Sequence, residues 1–399
     1  AQGSHFESSF GVSCKARCFS GPGKMQEPRW FSVEEEQQFE EFFQEHGYVV
    51  VRDILTQKEI DMAVDEIWDS PSLLGACGAR RGAPESWEDG WPASCTNMLD
   101  SNDPYAEVET WRHRTNPLML RVFGRLLGQR QLWVSIDRLG VMRPTLIPDG
   151  DGNMMSRPEW RTRSRWLHWD QNPHATPGFK GLQGFLTLSD HTQTSGGFVT
   201  VPGFHRKFAE WSKAHPEGSV LGQTRNHVPF NVPCDDPLQD EVQRILAPPG
   251  ALVIWDSRMP HQNVPNEGPT FRMVQYITCQ PVPSQEEKVE RQRAWQLVFK
   301  SGMVPLEFGR RILAEGPLAA AVLGMVAHVD EEAVELRGLL AGPGPSADEL
   351  EAVQWLRKAQ RLEASSNVSD IMEAPTWYRR AFKRNPLLET AINADLGQS

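Results

Sequence analysis

The chain has 399 residues, 39% of them hydrophobic with 32 glycines besides, enough to bury a sizeable core in one large domain or two. Forty-one basic against 52 acidic residues leave a net charge of −11, which argues against a large nucleic-acid interface. Six scattered cysteines with no CxxC pair argue against a disulfide scaffold or a zinc knuckle, and no run approaches the apolar length of a membrane-spanning helix.

Residues 1–28 are rich in Gly, Ser and Pro without a period and read as a flexible leader. The start Ala1-Gln2-Gly3-Ser4-His5 has neither the basic residues nor the apolar stretch of a secretory signal, so a reducing cytoplasm is the expected compartment. Ser32-Val33-Glu34-Glu35 fits a capping box, and Phe39, Phe42 and Phe43 repeat at helical spacing up to Gly47. Tyr48-Val49-Val50-Val51 follows as a buried strand. Thr56-Gln57-Lys58-Glu59 is a second capping box, opening a helix with Ile60, Val64, Ile67 and Trp68 on one face. Residues 71–104 are punctuated by Gly and Pro and predict a long ordered loop, and residues 116–127 a helix.

From there the texture turns β. Short runs at 132–136, 185–188, 197–201, 251–255 and 271–278, bounded by Gly and Pro, predict strands of an antiparallel sandwich or barrel. After Pro283 it turns helical, at 285–300, 306–314, 318–329, 347–364 and 377–382. The expected organisation is a leader (1–28), a β-rich domain flanked by helices (29–283) and a helical C-terminal extension (284–399).

Four His-x-acid triplets occur, where fewer than two would arise by chance from 11 histidines and 52 acids: His5-Phe6-Glu7, His168-Trp169-Asp170, His215-Pro216-Glu217 and His328-Val329-Asp330. Residues two apart on a strand point the same way, so such a pair can grip one cation. Context separates the four. His5 lies in the leader, His215 has a Pro between its members, and His328 sits in a helical pattern where residues two apart diverge. His168 stands in the β-rich stretch, and His261 follows a predicted strand about ninety residues on. Two imidazoles and one carboxylate leave open positions on an octahedral Fe(II) for a cosubstrate and dioxygen. Arg272, eleven residues beyond His261, could pair the distal carboxylate of a 2-oxo acid through its guanidinium fork.

These residues resemble the phytanoyl-CoA dioxygenase family of Fe(II)/2-oxoglutarate oxygenases over about residues 34–283. Phe39–Asp53 is similar to the family's F-x-x-x-G-Y-x-V entry into its first strand. Leu188-Ser189-Asp190 with Gly196-Gly197-Phe198, then Val201-Pro202-Gly203-Phe204-His205, resemble its L-D-D…N-G-x-L…P-G-S-H segment, and Trp255–His261 resembles the approach to its distal ligand. The resemblance implies a double-stranded β-helix (a distorted jelly roll) with flanking helices. It implies iron ligands at His168, Asp170 and His261, the far carboxylate of 2-oxoglutarate on Arg272 with Asn263 assisting, dioxygen as oxidant and ascorbate as a supporting reductant. It implies an oxygenase of class 1.14.11, hydroxylating a small or medium organic acid, acyl thioester or secondary metabolite with release of succinate and carbon dioxide. A carboxylate at 170, where related halogenases carry Gly or Ala, favours oxygenation. Trp169 inside the triplet, Phe204 in place of Ser and the helical tail depart from the family pattern.

Arg161, Arg163 and Arg165 would project to one side if extended and, with Arg138 and Arg143, are candidates to bind an anionic group of the substrate. Trp87, Trp91, Trp111, Trp160, Trp166 and Trp169 crowd the expected mouth, and His174 lies near the ligands. Flanked by metal-facing neighbours, Trp169 must face elsewhere and reads more as a buttress than as a substrate contact. The expected partner is a small molecule, with no nucleic acid and no membrane. The rival readings are a binding or interaction module that keeps its ligands by descent, and an oxygenase acting on protein.

Overall fold

The computed structural model describes residues 28–386 and 388, apart from 89–90, 92–97, 100, 102, 150, 217–228, 283, 326–343 and 364–367. Its strands, in chain order, are Tyr48–Val51 (β1), Met98–Leu99 (β2), Leu132–Val134 (β3), Leu139–Met142 (β4), Leu146–Pro148 (β5), Met154–Ser156 (β6), His168–Trp169 (β7), Leu182–Thr187 (β8), Gly197–Thr200 (β9), Phe230–Asn231 (β10), Gln243–Arg244 (β11), Leu252–Asp256 (β12), His261–Val264 (β13), Arg272–Ile277 (β14) and Cys279–Pro281 (β15). They form a larger sheet ordered β1-β12-β8-β14-β4-β2 and a smaller one ordered β10-β7-β13-β9-β11, with β15-β3 and β5-β6 as separate pairs. Every one of these strand pairs is antiparallel.

Strand alternation sorts the larger sheet's side chains into two cores. Val49, Leu186, Leu252, Ile254 and Met273 pack outward under the flanking helices, while Val50, Phe185, Val253, Trp255 and Val274 pack inward with Phe198 of the smaller sheet and Trp169. Both faces are thus buried, which is why these strands read as continuous apolar runs rather than as alternating ones.

The helix Gln57–Asp69 has the full capping box expected at Thr56, whose hydroxyl accepts from the Glu59 amide while the Glu59 carboxylate accepts from the Thr56 amide. The first expected box is only half made. Glu35 accepts from the Ser32 amide at 2.6 Å, but the two residues close a turn, and the helix starts at Glu36 and runs to His46. Asn116 caps Pro117–Leu127 with its side-chain oxygen. Gly47, ending the first helix, has φ +75°, and a Cβ there would stand 2.4 Å from His205 Nδ1 and 2.5 Å from Met259 Sδ, so both backbone and packing require glycine.

The short strands β4, β7 and β13 and the helices Glu109–Arg114 and Phe208–Ala214 were not expected; each is too brief to show a period. The expected loop at 71–104 contains the 3₁₀ turns Leu74–Cys77 and Pro84–Trp87, with part of it outside the described residues. Residues 1–27, with Cys14 and Cys18, also lie outside them.

C-terminal helices run Gln285–Lys300, Leu306–Ala314, Pro317–Val322, Ala347–Glu363 and Val368–Arg384. The third is shorter than its pattern suggested, ending at Val322 before Gly324, whose φ is +71°; the last extends well beyond 377–382. They share the outer core: Trp295, Phe299 and Phe308 belong to the same cluster as Leu132 and Trp111. Arg291 and Trp295 both donate to the Leu323 carbonyl at 2.9 Å, and the Arg291 guanidinium lies over Trp133 of β3. No helix among the described residues is long and apolar enough to cross a membrane.

Candidate metal and 2-oxoglutarate site

His168 and His261 sit side by side because β7 and β13 are antiparallel neighbours in a register that places them directly opposite each other. Their rings are 4.5 Å apart. Asp170, two residues beyond His168, folds back over both: Oδ1 lies 3.5 Å from His168 Nε2 and Oδ2 lies 3.3 Å from His261 Nε2. One donor atom from each of the three residues falls within 4.8 Å of the others, the only such cluster among the described residues. His215 ends a helix, its Nδ1 on the Trp211 carbonyl and its Nε2 3.3 Å from Asp236, while His5 and His328 lie outside the described residues.

The imidazoles are held in one tautomer. His168 Nδ1 is 3.1 Å from the Trp166 carbonyl and His261 Nδ1 is 3.1 Å from the Met259 carbonyl. A carbonyl only accepts, so each Nδ1 carries the proton and each Nε2 presents its lone pair to the space beside Asp170. Burial, with the neighbouring His168, lowers the pKa of His261 and favours the neutral ring a metal needs. Burial alone would raise the Asp170 pKa, but a proton on either facing Nε2 hydrogen-bonds to the carboxylate and holds the carboxyl well below its usual range; metal binding displaces that proton and leaves the neutral rings described. Two neutral nitrogens and a carboxylate converging on one point suit a divalent first-row metal.

Asn263, two residues along β13 from His261, shares its face and leads to Arg272. Arg272 Nη2 donates to Asn263 Oδ1 at 3.1 Å, and Nη1 lies 3.4 Å from Tyr276 Oη, which accepts from Asn263 Nδ2 at 2.9 Å. The guanidinium is fully buried over the Phe185 ring. Gly140, across the strand pair, leaves it room: a Cβ there would be 3.3 Å from Nη1. Its Nε has no partner, and no carboxylate pairs with it among the described residues. A buried cation without a counter-ion is costly. Its burial beside the ligand cluster fits a dicarboxylate that chelates iron at one end and meets Arg272 at the other. The residues present therefore fit Fe(II) and 2-oxoglutarate.

No protein-family model matches the chain. A Dictyostelium discoideum protein named for phytanoyl-CoA dioxygenase is 25% identical over 277 residues, covering 60% of this chain and 74% of its own length. The chain is related in sequence to the phytanoyl-CoA dioxygenase family. A second relative, Ava biosynthesis cluster protein O of Aspergillus versicolor, is 23% identical over 258 residues, covering 62% of this chain and 78% of its own. Among solved structures, EvdO2 of Micromonospora carbonacea in complex with 2-oxoglutarate aligns at 17% identity over 62% of this chain and 91% of its own, with a TM-score of 0.39.

Beyond the residues the phytanoyl-CoA dioxygenase resemblance singles out, the expected substrate contacts are dispersed. Residues 161–164 form no strand and Arg165 has φ +57°, so the three arginines there do not line one face. Arg161 pairs with Glu267, Arg165 with Asp240 and the Cys234 carbonyl, and Arg163 is exposed. Arg138 lies 3.9 Å from Asp137. Arg143 is sandwiched between Trp91 and Trp160 and donates to the Trp87 carbonyl, in the outer core. Trp87 and Trp160 pack there too, and Trp111 lies against Phe308, so only Trp166 of that group, apart from Trp169, reaches the ligands, stacked on the His168 ring at 4.8 Å. Trp169 faces away, packed on Phe204, Phe208 and Trp211 with its Nε1 donating to the Arg258 carbonyl. His174 is half-buried on the same far side, edge-on to Phe230 and 3.3 Å from Ser212 Oγ.

Sequence reasoning missed Gln183 and Trp255 as neighbours of the ligands. Gln183 Nε2 donates to Asp170 Oδ2 at 2.6 Å, and Trp255 Nε1 donates to Gln183 Oε1 at 3.1 Å. A Gln in a strand and a Trp in an apolar run carry no signal for such a role.

Proposed function

We propose that the protein is an Fe(II)/2-oxoglutarate-dependent oxygenase that hydroxylates an unactivated carbon of a small or medium organic substrate. In this reading residues 29–283 are the catalytic domain, a double-stranded β-helix, and residues 284–399 are a helical extension. One observation carries it: a two-histidine, one-carboxylate donor cluster, and a buried, unneutralised Arg272 bonded to Asn263, which stands two residues from His261 on the same strand.

His168, Asp170 and His261 would hold the metal, with both Nε2 atoms already aimed by the carbonyls of Trp166 and Met259. Arg272, Asn263 and Tyr276 would take the far carboxylate of 2-oxoglutarate, the guanidinium supplying charge and the two neighbours its orientation. The bound iron would supply the activation of dioxygen, coupled to conversion of 2-oxoglutarate to succinate and carbon dioxide. Phe185, Phe198 and Trp255 wall the interior between the sheets and exclude water from it. Trp166 covers the outer face of His168. With a carboxylate at 170, no ligand position is freed for halide, and oxygen transfer is the expected outcome. The name of the Aspergillus relative, a biosynthesis cluster protein, favours a secondary metabolite among the candidate substrates.

The test is anaerobic titration of Fe(II) and 2-oxoglutarate. The parent protein should develop the weak visible charge-transfer band of the chelate, and His168→Ala should abolish it. A parent protein that develops no band and makes no succinate with any organic acid, acyl thioester or metabolite screened overturns the proposal.

A further inference from the structure

Asp170 is the one ligand of the three whose side chain is not pinned by its own strand: β7 ends at Trp169, and the carboxylate hangs beyond it. What holds it comes from the opposite sheet. Gln183 on β8 and Trp255 on β12 are paired across the strands in register, so their side chains leave the same face, into the interior. An indole N–H only donates, so the Gln183 amide must turn its oxygen to Trp255, at 3.1 Å. Its NH₂ then faces Asp170 Oδ2, at 2.6 Å. The Trp255 ring also packs 5.0 Å from the His261 ring and 4.6 Å from Phe198.

We infer that Gln183, locked by Trp255, positions the Asp170 carboxylate for metal binding by occupying Oδ2 and presenting Oδ1. The arrangement would make Asp170 a ligand through Oδ1, with Oδ2 held by the Gln183 amide. It also explains a glutamine and an indole N–H on these inward faces: the indole has the glutamine as its partner, the glutamine has the indole and Asp170, and the chain of donors ends at the ligand. Gln183 and Trp255 are positioning residues that act through Asp170 and His261. The inference rests on the metal site of the proposed function.

The test uses Co(II), whose visible spectrum reports ligand number and geometry, added to the full-length protein and read by titration and absorption. Gln183→Met keeps the length and loses the donor; Trp255→Phe keeps the ring against His261 and loses the lock. Gln183→Met should weaken Co(II) binding about 10–100-fold, the usual effect of removing a hydrogen-bond partner of a ligand, and should shift the visible bands. Trp255→Phe should weaken it less, since the freed amide still donates part of the time. The double variant should bind no more weakly than Gln183→Met alone, because the indole N–H acts only through the amide. Binding within threefold of the parent with an unchanged spectrum in both single variants overturns the inference. If Gln183→Met does not fold, Trp255→Phe decides by the same criterion. A parent protein that binds no Co(II) would instead overturn the metal site itself.

Discussion

Replacing Arg272 with methionine separates its cost to the empty fold from its use to a ligand. In the protein alone, a buried guanidinium without a carboxylate costs several kcal/mol of desolvation. Against this stand a charged hydrogen bond to Asn263, about 2–3 kcal/mol, and the cation–π contact with Phe185, about 1–2 kcal/mol. These terms nearly cancel, so Arg272→Met should leave unfolding within about 2 kcal/mol of the parent. Toward 2-oxoglutarate the balance is one-sided. Two charge-assisted hydrogen bonds to the far carboxylate contribute about 3–6 kcal/mol, so their loss should weaken binding by a factor of about 10²–10⁴. Thermal unfolding under anaerobic Fe(II), with and without 2-oxoglutarate, reads both. At a concentration 100 times the parent's dissociation constant, the ligand should stabilise the parent by about 2.7 kcal/mol and the variant by about 0.4 kcal/mol or less. A variant that keeps the parent's ligand-induced shift would refute the assignment of Arg272 as the counter-ion. A variant that loses far more than 2 kcal/mol without ligand would refute the view that the guanidinium is unneutralised.

Three further outcomes follow from the same physics. Burial, with the Glu66 carboxylate adding to it, pushes the Glu107 pKa up to about 7, so between about pH 4.5 and 7 the folded protein binds more protons than the unfolded chain. Stability should fall by about 3 kcal/mol as pH rises through that window, and Glu107→Gln should flatten the slope in denaturant titrations; an unchanged slope would refute it. Gly47→Ala should cost about 2–4 kcal/mol, from left-handed strain and the collision with His205 and Met259, and a chemical-denaturation loss under 1 kcal/mol would contradict the packing described. His191 is buried, and burial together with the charges of Arg272 and Arg244 holds its pKa well below the usual value, leaving a neutral ring whose two nitrogens lack partners. His191→Leu should therefore raise the melting free energy of the unliganded protein by about 1–3 kcal/mol, and a fall instead would show that the nitrogens are hydrogen-bonded.

By itself the sequence determined what depends on near neighbours. The Thr56 box, the end of the first helix at Gly47 and the apolar runs of the larger sheet are local or periodic, so the amino-acid order suffices to find them. It also carried the chemistry of the candidate donors, since only a few residue types can ligate a metal and only one triplet of four lay in a β context before a second histidine. Tertiary structure alone decided which side chains meet. His168 and His261, 93 positions apart, share a ridge because of the register between two short strands, neither long enough to show a period. The same register across β8 and β12 brings Gln183 and Trp255 to Asp170, while Arg143 is carried to the far core and Arg161 and Arg165 to surface carboxylates. Ligation and hydrogen bonding act over about 3 Å. A one-residue slip in a strand turns a side chain to the opposite face, so whether two distant residues touch is set by sheet pairing, which no local pattern encodes.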